Sequence, residues 1–262
     1  GNGGNVNVDI SSGTTLLIGS SQNPVNGQVA GISALSQGAP GASCCWSTGA
    51  NPPTTATQIL PILGPGYAQS IDLVGMGLNG SGGTVSVNNS ANISSAQNIL
   101  SSGQYGGNLY GIMAASIGGA VVISPKTQFI NPAPAANPVG LGGPVSVTNN
   151  AGINLPGQNS IGVMAVSASN QTIVPGQVTV TGSGETASPV SVYLGQNSSI
   201  TTGNNNPGTS TVGLGNISGG VFAISSTGWL VSPFNQVSNT SISAGNGGPV
   251  NVTNLGSINS YG

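Results

Sequence analysis

The sequence predicts an all-β chain wound as a parallel β-helix, a single β-solenoid domain over residues 1–262 with three Pro/Gly-rich excursions. Three observations predict it. A GGxVxV motif recurs along the chain, four kinds of short segment follow one another in a constant order, and Val or Ile alternates with Ser, Thr or Asn at the period of a half-buried strand.

The first kind of segment is GGNVNV (3–8), GGTVSV (82–87), GGPVSV (142–147) and GGPVNV (247–252), with ASPVSV (187–192) as a looser copy. Their first valines, Val6, Val85, Val145, Val190 and Val250, are spaced by 79, 60, 45 and 60 residues. These spacings suggest multiples of a coil of roughly 20 residues, a short solenoid period. On that count the chain holds roughly ten to twelve coils, a rod about 50 Å long at the strand spacing of a sheet.

An isoleucine after a polar turn forms the second kind: NNSANIS (88–94), NNAGIN (149–154), GQNSSIT (195–201) and NLGSIN (254–259). GISALS (31–36), GIMAAS (111–116), GVMAVS (162–167) and GLGNIS (213–218) form the third, and GGAVVIS (118–124), GQVTVTG (176–182) and GGVFAIS (219–225) the fourth. Glycine, asparagine and proline between the segments supply tight turns. A sandwich or a barrel also uses short strands, but neither requires four classes to repeat in register. In a β-helix the repeat stacks like on like. Val85, Val87, Ile93, Ile112, Ala114, Val145, Val147, Ile153, Val163 and Ala165 then point inward, and asparagines in the turns stack as amide ladders.

The least polar stretch, YGIMAASIGGAVVIS (110–124), invites a membrane reading. Gly111 to Ile123 is 13 residues, against about 20 for a helical span. Its two halves recur elsewhere, so it reads as two strands about a glycine corner, and no membrane span is expected.

The excursions lie at about 37–66, 125–141 and 226–238, where prolines and aromatics gather and proline excludes an interior strand. They carry the distinctive side chains. Cys44 and Cys45 are a candidate cross-link: a ring disulfide between neighbours, a bridge to another chain, or two free thiols. Trp46, Tyr67, Trp229 and Phe234 are candidate surface-contact aromatics.

Charge excludes several functions. The chain has one lysine (Lys126), three carboxylates (Asp9, Asp72, Glu185), no histidine and a formal net charge of −2, where an ordinary soluble domain is about a quarter charged. Nucleic acids and anionic membrane surfaces need Lys and Arg that are missing. Without histidine the usual general base and the commonest metal ligand are gone. The three carboxylates stand 63 and 113 residues apart, so a non-catalytic protein without a cofactor or a metal is expected. Neither the calcium β-roll nonapeptide nor a phosphate-loop GxxxxGK[ST] occurs. Thr-x-Thr ranks do not recur at coil spacing, against an ice-binding face. Few titrating groups also imply stability nearly flat from mild acid to neutral pH, which melting midpoints would test.

YGIMAASIGGA (110–120), with GGTVSV and GGPVSV upstream, resembles the glycine-rich passenger repeats of Gram-negative autotransporter-type adhesins. There, GGxVxVxNxGxI and GIxAxSIGG segments tile long β-helical passengers. The resemblance covers most of the chain outside the excursions and implies an exported, extracellular protein at the cell surface. No C-terminal membrane barrel accompanies it here, and the charge is lower than in those repeats. The expected role is a structural or adhesive stalk segment, or a subunit of a biofilm-matrix or cell-surface filament. Its expected partner is itself, as a head-to-tail or lateral homopolymer or as part of a longer parent chain. GNGGNVNV (1–8) and GNGGPVNV (245–252) suit a slice of a longer array. The alternative is a carbohydrate- or surface-binding module that meets cell-surface glycans through the excursion aromatics.

Overall fold

A computed structural model describes residues 1–19, 29–38, 41–42, 55–59, 68–72, 80–95, 109–119, 121–122, 140–156, 160–172, 179–181, 186–203, 218–231, 241–243 and 246–261. Every regular element among them is a strand. The first coil holds β1 (Val6–Ile10), β2 (Thr15–Ile18) and β3 (Val29–Gln37), followed by β4 (Gly41–Ala42), β5 (Thr55–Ile59) and β6 (Ala68–Asp72). The second has β7 (Val85–Asn89), β8 (Asn92–Ser95) and β9 (Leu109–Ile117), then β10 (Val121–Val122). The third has β11 (Val145–Asn149), β12 (Gly152–Leu155) and β13 (Ser160–Thr172), then β14 (Thr179–Thr181). The fourth has β15 (Val190–Leu194), β16 (Ser199–Thr202) and β17 (Gly219–Val231), then β18 (Ser241–Ser243). β19 (Val250–Asn254) and β20 (Ser257–Ser260) begin a fifth.

These strands stack as three parallel walls. Wall one is β1-β7-β11-β15-β19, wall two is β2-β8-β12-β16-β20, and wall three is β3-β9-β13-β17. The chain is a parallel β-helix, as expected. Val6, Val85, Val145, Val190 and Val250 form one unbroken column across wall one. All ten residues expected to face inward are buried, and all ten lie within one continuous core with Leu155, Leu194 and Ile200.

Three expectations need correction. The spacings of 79, 60, 45 and 60 residues each contain one coil plus insertions of different length, not several coils of 20. Wall one therefore has five strands and rises only about 20 Å. GGVFAIS is not a fourth kind of segment, since Val221 and Ala223 pair with Val163 and Ala165 and place it in wall three. Its second glycine, Gly220, is the true counterpart of Gly111 and Gly162. The other segments of the fourth kind do not share a wall: β10 pairs with β4, and β14 with β18. GLGNIS, expected in wall three, lies outside the described residues except for Ser218. Finally, the stretch expected to leave the rod at residue 226 remains in β17 to Val231.

Close approach explains the glycine that opens each wall-three segment. A Cβ on Gly111 would lie 2.5 Å from the Gly162 carbonyl oxygen and 2.6 Å from Cγ2 of Ile153, closer than side-chain carbons come. The isoleucine of wall two occupies the space that a side chain would need. GIxAxS and NxGxI are thus two halves of one packing rule.

In its two inner strands, β9 and β13, wall three is buried on both faces. Its inner face joins the main core. On its outer face Tyr110, Met113, Ala115, Ile117, Ile161, Met164, Val166 and Ala168 make a second apolar cluster, and β10 lies beside β13. All nine residues of β9 are buried. This accounts for the low polarity of YGIMAASI, an inner-wall strand with a core on either side.

Candidate functional site: the open end of the coil stack

Two ladders of polar side chains tie successive coils together. In the first, the serine that ends three of the four wall-three segments bridges the corners that precede wall one in two successive coils. Ser36 Oγ donates to the Gly4 carbonyl at 2.7 Å and accepts from Gly83 N at 2.8 Å. Ser116 Oγ donates to the Gly83 carbonyl at 2.6 Å and accepts from Gly143 N at 2.7 Å. Ser225 joins the Ser188 carbonyl (2.7 Å) to Gly248 N (3.0 Å) in the same manner. The second ladder is the expected asparagine stack, which has two rungs. Asn89 Nδ2 donates to Asn149 Oδ1 at 2.7 Å, and Asn149 Nδ2 donates to Ser198 Oγ at 2.8 Å. Leu194 takes the asparagine's place in the next rung and ends it.

One serine staple is missing. Ser167 is fully buried and its hydroxyl has no hydrogen-bond partner among the described residues. The corner residue it would reach is Ser188, which stands where the other coils have glycine. A Cβ on Gly143 would lie 2.5 Å from the Gly83 carbonyl oxygen. Ser188 carries that Cβ, so its corner cannot draw in as closely. The looser motif ASPVSV therefore marks the weakest staple in the stack.

At the C-terminal end the core comes to the surface. Val250 and Val252 are 42 and 49 % exposed, whereas Val145 and Val147 in the same columns are 2 and 0 % exposed. Leu255, Ile258 and Tyr261 are exposed beside them. The outer edges of β19 and β20 have no strand paired to them among the described residues. At the other end Val6, Val8, Ile10 and Leu16 are only partly buried against the core. The valines were legible as strand residues, but a sequence pattern does not say how many rungs cover each of them.

Cys44, Cys45, Trp46, Tyr67 and Phe234 lie outside the described residues. The backbone of Trp229 sits in β17 opposite Asn170. Tyr193, which the sequence reading passed over, projects from the outer face of wall one and is exposed beside Thr148 and Thr253. Among the described residues no three of His, Cys, Asp and Glu come together, and no helix is long and apolar enough to cross a membrane.

No family model, curated protein or solved structure matches this chain.

Proposed function

We propose that this chain is a non-catalytic building element, a β-solenoid of an extracellular stalk or fibre whose last coil is continued by like coils, those of a longer parent chain or those of a further copy. The observation that carries the reading is the exposure of Val250, Val252, Leu255 and Ile258 above unpaired strand edges. Uncovered strand edges template further pairing, and solenoids that remain single need polar end caps. With a net charge of −2 little repulsion opposes association. Export and a cell-surface setting rest on the passenger-repeat resemblance of YGIMAASIGGA.

Sedimentation velocity with electron microscopy of the full chain tests it. Wild-type protein should form rods that lengthen with concentration. Val252→Asp places a charge on a surface that is already half open, so it should leave the coils folded and shift assembly to at least about tenfold higher concentration. A wild-type chain that stays monomeric at every concentration would overturn stacking between copies.

A second reading, a glycan-contacting surface, is supported by Tyr193. Its ring stands between Thr148 and Thr253, in a column of hydroxyl and amide side chains that carries a charge only at Asp9, three rungs away, a setting suited to a neutral sugar. Loss of glycan-array signal in Tyr193→Ala would favour it, and unchanged signal would remove it.

A further inference from the structure

Ser36, Ser116, Ser167 and Ser225 stand in register across wall three. Three of them bridge two coils: the hydroxyl donates to the carbonyl of one corner residue and accepts from the amide of the corner residue one coil on. By the same repeat Ser167 falls between the Gly143 carbonyl and the Ser188 amide. It bonds to neither, although it is fully buried. The glycine before each corner shows the same departure. A Cβ on Gly3 or Gly82 would meet first the serine hydroxyl of its own coil, Ser36 Oγ or Ser116 Oγ. One on Gly142 would meet first the backbone of Ser116 and Ala168.

Two more buried hydroxyls lie close along the same strands without a partner among the described residues, Ser169 on β13 and Thr227 on β17. Ser167 and Ser169 alternate with Val166 and Ala168 of the outer apolar cluster, and so face the other way. The register slips at this point. Ala168 pairs with Ser226 and Asn170 with Trp229, which sets Ser169 against two residues, Thr227 and Gly228. A bulge of this kind disrupts the ladder locally. Of four buried hydroxyls without a partner among the described residues, these are three, so the unmet polarity gathers at one corner instead of scattering through the stack.

An enclosed hydroxyl without a partner is costly, and three together mark a place for a small polar ligand. The corner selects its kind. The Ser188 N–H would repel a cation and the Gly143 carbonyl an anion, whereas water donates and accepts at once. We propose that the corner between the third and fourth coils is an internal hydration site. One water donates to the Gly143 carbonyl, accepts from the Ser188 amide and completes its set with Ser167 Oγ. The Ser169 and Thr227 hydroxyls extend the polar lining. Three bonds are the usual complement of an enclosed water, and a bridge through water holds nearly as well as a direct bond. The Ser188 Cβ, by keeping this corner from drawing in, leaves the width that the water takes. The third staple is then wet where the other three are direct. The site lies inside the stack and does not depend on how the last coil is continued.

Crystal structures of the full chain, wild type and Ser188→Gly, test the site at a resolution that shows ordered water. The wild-type map should hold a water within about 2.7–3.2 Å of Ser167 Oγ, the Gly143 carbonyl oxygen and the Ser188 nitrogen. In Ser188→Gly that water should be lost, with Ser167 Oγ bonded directly to the Gly143 carbonyl and to the amide at position 188. A wild-type corner in which Ser167 Oγ bonds directly to protein, or in which no water lies beside it, overturns the site. A water that stays in Ser188→Gly overturns the assignment of the Ser188 Cβ as what admits it. The wild-type map is decisive even where the variant fails to fold.

Discussion

Val147 and Val252 occupy the same column of wall one, separated by Val192, yet one is fully buried and the other about half exposed. Their local sequences, GGPVSV and GGPVNV, are nearly the same. A rung of a parallel coil contributes hydrophobic stability according to the rungs on either side of it, not according to its own composition. Inside the stack, a valine buried from water stabilises by about 1.5–3 kcal/mol. At the end, the same side chain waits for a neighbour to supply that contribution.

The contrast can be broken most severely at the glycine column. Gly111→Val drives a branched side chain into Ile153 and the Gly162 carbonyl, and it should cost about 3 kcal/mol or more in urea unfolding. Gly4→Ala, where a Cβ meets nothing within 4 Å, should change stability by less than about 0.5 kcal/mol. Equal effects would mean that the column is not packed as described.

Next in size is the valine pair itself. Val147→Ala should lose about 2 kcal/mol, and Val252→Ala about 0.5 kcal/mol or less in dilute protein. The Val252→Ala loss should grow with protein concentration if the end becomes covered. A concentration-independent difference would confine the contrast to the isolated chain.

The smallest effect compares two serines that are both fully buried. Ser116→Ala strands the Gly83 carbonyl and the Gly143 amide and should cost about 1–2 kcal/mol. Ser167→Ala removes a hydroxyl that has no partner among the described residues, and it should be neutral or stabilising. Ser188→Gly should reverse this by making Ser167 useful, so a double-mutant cycle between the two positions reads the restored staple directly. Additive effects would sink that explanation.

The three kinds of strand were legible because each alternates Val or Ile with polar residues at a short, constant distance from glycine. The number of coils was not. Each coil is followed by an insertion of its own length, so the spacings between valines measured insertions as much as coils. GGVFAIS was misplaced because its leading glycine pair mimics GGAVVIS. Only the pairing of Gly162 with Gly220 reveals which glycine belongs to the column. The low polarity of GIMAAS was legible, but its second buried face depends on what the chain lays over wall three. Exposure along the last rung could not be read at all, since it is set by the rungs on either side rather than by local pattern.

The chain turns from wall one to wall two within a few residues in every coil, from Ile10 to Thr15, Asn89 to Asn92, Asn149 to Gly152, Leu194 to Ser199 and Asn254 to Ser257. The long insertions depart instead on either side of wall three. The large length variation thus lies on one flank of the prism, and on the opposite ridge the turns vary only between two and four residues. Such a body has a keel and a cargo side. A foreign loop grafted beside wall three would be presented at a set height on the axis, while the ridge between walls one and two, with its short turns, would stay clear of the cargo.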